Sequence, residues 1–150
     1  LDTPGYTDFV GEVISALRVS DGVMVLVDSV AGVEVGTEIA MDYANQFNLP
    51  MFLVINKMNR DNANFTKALD SVQIVTDKRL LPVQIAWGEK LDFKGVIDLL
   101  TMKAYEGDST EGVAIPDEYA DRVEEGRMEV IEAAAEGDDA LLEKYLEAKI

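Results

Sequence analysis

Two short polar clusters in this chain have residue types and spacing that suit chemistry on a phosphorylated ligand. The first is DTPGY, in which Asp2 and Gly5 lie three residues apart. A carboxylate at a strand end can hold a water of a Mg2+ ion, and a glycine amide nearby can approach a terminal phosphate with no side chain in the way. The second is NKMN, Asn56 to Asn59, directly after the apolar run MFLVIN. An asparagine amide can reach the edge of a purine while the aliphatic stem of the following lysine packs on the ring face. Each cluster also has an ordinary reading. Pro4 and Gly5 can serve a plain strand-to-helix turn, and Asn59 or Asp61 can cap the next helix. The two clusters together, in this order and separation, favour a nucleotide switch over two unrelated turns.

Composition narrows what chemistry is open. The chain contains no cysteine and no histidine, so disulfides, thiolate or imidazole metal sites and catalysis by Cys or His are excluded within it. What remains must use Asp, Glu, Lys, Tyr, backbone amides or a borrowed metal. With 29 acids against 13 bases the formal net charge is -16, which disfavours a phosphate backbone as a direct partner and favours basic proteins. Direct contact with nucleic acid is therefore not expected. The apolar runs are strand-length, far short of the ~20 residues that cross a bilayer, and no signal peptide is visible. The expectation is a cytoplasmic protein with no membrane contact. Leu1 stands directly before the first cluster, so the sequence is expected to be a fragment of a longer one.

The elements that would position these clusters follow from periodicity. FVGEVISALR carries apolar residues at helical spacing, with a start after Thr7 or Asp8. VMVLVD and MFLVIN are continuous branched-apolar runs, the pattern of parallel strands buried on both faces. Between them AGVEVG reads as a loop and TEIAMDYANQF as a helix, and residues 61–76 read as another helix. Helix and strand in alternation predict an α/β fold, a mainly parallel sheet with helices on both faces and ligands at the carboxyl ends of the strands. PVQIAW, KGVIDLL and MKAYEG then read as short strands with turns between them. Helices follow in PDEYADRVEEGRMEVIEAAAE and DDALLEKYLEAK. The change of character predicts a boundary near residues 80–90, with an α/β core over 1–80 and a mixed α+β lobe over 81–150.

DTPGYTDFVGEV resembles the DTPGHVDFxGEV segment of bacterial elongation factor G, a translational GTPase. AGVEVGTE, LPMFLVINKMNRDNANF and LPVQIAWGEKLDFKGVIDLL resemble that family's following segments in the same order. The resemblance implies the second part of a P-loop GTPase domain, from the second switch to the base-binding motif, followed by most of the family's inserted lobe. It implies GTP or GDP with Mg2+ as cofactors and the ribosome as partner. By the same resemblance Asp2 and Gly5 belong to the Mg2+ and γ-phosphate switch, with Asp2 reaching the metal through water. Asn56, Lys57 and Asn59 stand at the guanine site. No GxxxxGK[ST] phosphate loop occurs in these residues, so the fragment alone is expected to be inactive.

Two positions depart from that family's pattern. Tyr6 replaces the usual His of the second switch, as in some elongation factor G-like paralogues, and makes Tyr6 the candidate catalytic position. A phenol is a poor general base at neutral pH, although its oxygen can orient a water. Slowed hydrolysis and simple packing of Tyr6 at the switch both remain open, as does a GTP-binding ribosome regulator with little hydrolysis. Asn59 replaces the Asp of the NKxD motif. An amide brings its own donor and can favourably meet only one of the two guanine donors that a carboxylate accepts. A protein-interaction module with a decayed nucleotide site is the reading from another class.

The helix after Pro116 has one further pattern. Glu118, Asp121, Glu125, Glu129, Glu132 and Glu136 follow spacings of three, four, four, three and four, which stacks six carboxylates on one stripe. Tyr119, Val123, Gly126, Val130 and Ala133 make the apolar stripe beside it. The acids can be a solvated face or a docking face for a basic partner. The resemblance implies the second, with the stalk protein of the large ribosomal subunit as that partner.

Overall fold

The two continuous apolar runs form the expected parallel pair. In a computed structural model, which describes residues 1–137 and 139–148, β1 (Val23–Asp28) and β2 (Met51–Asn56) pair from Val23 opposite Met51 to Asp28 opposite Asn56. A 3-10 turn at Thr7–Phe9 leads into α1 (Val10–Leu17), and α2 (Val35–Gln46) crosses over between the strands. α3 (Phe65–Ile74) follows β2. The chain divides into two units, residues 1–79 and the residues from Leu80 onward, and these elements make the first. Val25, Val27, Met41, Ala44, Ala68 and Val72 form its interior. The α/β class and its parallel sheet with flanking helices are as the sequence predicts.

Three local expectations change. β1 is buried on one face only: Val25 and Val27 are covered, whereas Met24 and Leu26 are 62% and 56% exposed and Phe52 on β2 is 52% exposed. Side chains alternate across a strand, and only the Val25–Val27 side is covered. α2 begins at Val35, two residues before Thr37, because the Thr37 hydroxyl reaches back to accept from the Glu34 N–H at 3.4 Å and fixes the first turn there. α3 begins only at Phe65, since the Asn64 carboxamide oxygen accepts from the Lys67 N–H at 2.8 Å.

In the second unit β3 (Gln84–Trp87), β4 (Gly95–Asp98) and β5 (Lys103–Glu106) form an antiparallel meander in chain order. Gly95 is required for that pairing, because a Cβ there would lie 1.9 Å from the Tyr105 carbonyl oxygen. A 3-10 turn at Asp117–Tyr119 opens α4 (Ala120–Glu136), and α5 (Asp139–Ala148) follows. Asp138 and Lys149, the ends predicted for this last helix, lie outside the described residues. Ile85, Ile97, Leu99 and Ala104 pack with Val123 and Val130 of α4. The Tyr119 hydroxyl accepts from the Gly88 N–H at 3.0 Å. Arg127 donates to the carbonyls of Leu99 at 2.7 Å and Leu100 at 3.1 Å, fastening α4 to the β4–β5 turn.

Leu99 is 1% exposed, so loss of the Arg127 donor leaves a buried carbonyl short of a partner. Arg127→Met, which keeps the aliphatic stem, is expected to destabilise this unit by about 1–3 kcal/mol. Urea unfolding of the two proteins checks this, and an unchanged midpoint would show that the contact contributes nothing.

Candidate functional site

The carboxyl ends of β1 and β2 are tied together through a single residue. After Asp28 the chain turns at Ser29, 3% exposed, whose N–H donates to the Asn56 carbonyl at 2.9 Å. The Ser29 hydroxyl donates to the Lys57 carbonyl at 2.8 Å, and the Ser29 carbonyl accepts from the Asn64 N–H at 3.1 Å. One buried residue thereby joins β1 to the NKMN loop and to the start of α3.

Within that loop the side chains divide between solvent and interior. Asn56, Lys57 and Asn59 are exposed, while Met58 is 7% exposed and anchors the loop from below. Lys57 has φ +61°, a left-handed conformation that a residue with a Cβ adopts only when its surroundings hold it there. Three contacts do so. The Asn56 carboxamide oxygen accepts from the Lys57 N–H at 2.7 Å, Ser29 holds the carbonyl, and the Lys57 ammonium meets Asp28 Oδ2 at 2.7 Å.

Asp28 is the residue that the sequence reading missed. Its side chain is 14% exposed, and Oδ1 accepts from the N–H groups of Val30 at 2.9 Å and Ala31 at 3.2 Å. Arg60 lies 3.6 Å from Oδ2 as a second cation. The Lys57 hydrogen bond, then those from Val30 and Ala31, hold the Asp28 carboxyl far below its ordinary range, against an opposing effect of burial. The signal was present as an acid closing an apolar strand, but its partner became visible only through the register that sets Asp28 opposite Asn56.

Asn59 faces a shallow concavity that it lines with Val30, Arg60, Asp61 and Asn62. It does not cap α3, and neither does Asp61; Asn64 takes that role. Asn56, Lys57 and Asn59 are exposed at the carboxyl end of β2, where an α/β sheet presents ligand sites, and of the three only Asn59 lines the concavity.

Residues 1–5 form no strand, and Asp2, Gly5 and Tyr6 are exposed, Tyr6 by 79%. The strand beside β2 is β1, and the acid at its carboxyl end is Asp28. The Gly5 carbonyl rests against the first turn of α2, where a Cβ on Gly36 would come within 2.6 Å of it. No hydrogen bond or ion pair among the described residues joins Asp2, Gly5 or Tyr6 to the NKMN loop. The described residues contain no group of three or more His, Cys, Asp or Glu side chains able to hold a metal ion by themselves. Asp2 offers one carboxylate, which suits Mg2+ only as a shared ligand beside phosphates and waters. No helix among the described residues is long and apolar enough to cross a membrane.

A family profile described as "Elongation factor Tu GTP binding domain" matches residues 1–147. The chain belongs to that family. A crystal structure of a protein from Thermus thermophilus matches this elongation factor Tu-type GTP-binding domain over 99% of its residues, with 38% identity and a TM-score of 0.87. The chain spans 22% of the length of that Thermus protein. The family is one that binds guanine nucleotides.

The Asp28 contacts have a defined pH signature. Because the folded carboxyl is held below its ordinary value of 3.8, its contribution to stability is complete above that value and is lost as the pH falls below it towards the folded value. The stability difference between the native protein and Asp28→Asn is expected to stay constant from about pH 5 to 8 and to shrink below about pH 4. Urea unfolding across that range checks this, and a difference that grows on acidification would contradict the arrangement.

Proposed function

We propose that this chain carries the second switch and the base-recognition loop of an elongation factor G-like GTPase that acts on the ribosome. The single observation that carries this reading is the exposure of Asn56, Lys57 and Asn59 in one loop at the carboxyl end of β2, beside that of β1. In this proposal Lys57 packs its stem on the guanine ring, Asn56 shapes the loop that presents it, and Asn59 meets the base edge. Asp2 and Gly5 face the Mg2+ and terminal phosphate, where the metal would neutralise charge developing during phosphoryl transfer. Tyr6 orients the attacking water, and residues 81–150 act as the inserted lobe.

A second reading is a GTP-binding ribosome regulator with little hydrolysis, since Tyr6 stands where the resembled family has His and a phenol is a poor general base. Ribosome-stimulated GTP hydrolysis by the full-length protein separates the two. Turnover near the uncatalysed rate despite tight GTP binding would favour the regulator.

The base assignment is tested at Asn59. A hydrogen bond involving a charged group contributes roughly 1.5–3 kcal/mol, so Asn59→Asp is expected to raise the preference for GTP over XTP by about 10-fold to 100-fold. Competition binding to the full-length protein measures this. If the native protein already rejects XTP as strongly as the Asp variant does, Asn59 is not at the base edge.

The partner proposal rests on α4. Asp121, Glu125, Glu129, Glu132 and Glu136 of α4 and Glu118 of the preceding 3-10 turn are all exposed, while Val123 and Val130 are buried. The ion pairs found among the described residues both belong to Asp28, and neither involves an acid of the stripe. Such a face suits fast, salt-sensitive association with a basic protein, for which the ribosomal stalk is the proposed partner. Reversing Glu125, Glu129 and Glu132 to Lys is expected to slow ribosome association several-fold and leave GTP binding unchanged, as stopped-flow mixing at two salt concentrations would show. An unchanged association rate would make the stripe a solvated surface only.

A further inference from the structure

The NKMN loop is held from outside itself. Lys57 is about half exposed, and a lysine stem in that setting samples many rotamers unless its ammonium is fixed. Asp28 supplies a fixed point: its own orientation is set by the Val30 and Ala31 N–H groups, and Oδ2 is left for the Lys57 ammonium at 2.7 Å. Arg60 is farther, at 3.6 Å, and does not displace it. The carboxylate therefore lies between a rigid backbone turn and a mobile cation.

We propose that Asp28 is a positioning residue for base recognition, fixing the Lys57 stem in the orientation in which it covers the purine ring. This rests on the base-site reading above and extends it to a strand residue outside the NKMN motif. Fixing the ammonium beforehand reduces the ordering that nucleotide binding would otherwise require, so Asp28 acts on affinity through Lys57 and touches no part of the base itself.

Two substitutions separate this role from simple turn capping. Asp28→Asn keeps an oxygen for the Val30 and Ala31 N–H groups and removes the charge. Asp28→Glu keeps the charge and can still reach Lys57, but is one methylene too long for the same turn. Turn capping ranks Asn above Glu for GDP affinity, and positioning of Lys57 ranks Glu above Asn.

The experiment is GDP binding by the full-length protein and its Asp28→Asn, Asp28→Glu, Lys57→Ala and Asp28→Asn/Lys57→Ala variants, each checked for cooperative thermal unfolding. Asp28→Asn is expected to weaken GDP binding roughly 3- to 10-fold, Asp28→Glu less, and the Asn effect should nearly vanish in the Lys57→Ala background. Unchanged affinity in Asp28→Asn, an equal loss in both backgrounds, or a Glu variant weaker than the Asn variant would overturn the proposal while leaving the base site in place. Unchanged affinity in Lys57→Ala would instead remove the base-site reading and the proposal with it. If Asp28→Asn does not fold, the Asp28→Glu affinity decides: a loss as large as that of Lys57→Ala overturns the proposal, and a small one supports it.

Discussion

The Ser29 hydroxyl, buried at the end of β1, is the contact through which the first unit's core reaches its surface chemistry. A hydroxyl removed from water must find a partner, and this one finds the carbonyl of Lys57, a residue in a left-handed conformation. The Ser29 backbone meanwhile bonds to Asn56 and Asn64. Strand pairing, loop conformation and the start of α3 therefore depend on one another, and moving any one of them would strand a buried polar group. The Asp28 carboxylate completes the arrangement by holding the Lys57 ammonium.

This dependence explains why the candidate site lies where it does. The apolar residues Val25 and Val27 fix the depth of β1, the register sets its end beside that of β2, and Met58 draws the loop inward so that its neighbours point out. Lys57 and Asn59 are thus presented by packing that involves neither of them. The second unit applies the same logic with different groups. Val123 and Val130 bury one side of α4, Arg127 fastens it to the turn after β4, and the acids that remain have no side available to them except the one facing water. A helix with paired acids at i,i+4 is disfavoured in isolation by a few tenths of a kcal/mol per pair, and burial of the opposite face offsets that here.

Much of this was legible in the sequence, and the misses have physical causes. VMVLVD and MFLVIN announce strands because branched apolar runs of that length suit little else. The stripe on α4 was readable because helical spacing alone decides which residues share a face. Asn59 reads as a helix cap as much as a ligand, and Asp61 as a cap, since capping chemistry is common to Asn and Asp; only the helix start decides, and its cap is Asn64. The role of Asp28 depends on a residue 29 positions away, a relation fixed by strand register rather than by local pattern. The open side of β1 was invisible for a similar reason: composition shows that a face can be buried, and only tertiary structure shows what covers it.

If the loop fixed by Ser29 and Asp28 is a guanine-recognition surface, a crystal structure of the full-length protein with GDP and Mg2+ will show it. The base is expected in van der Waals contact with the Lys57 stem, with Asn59 at its edge and the Asp28–Lys57 ion pair retained. A nucleotide bound elsewhere, or a base whose ring is covered by other residues while Lys57 points to solvent, would contradict this assignment.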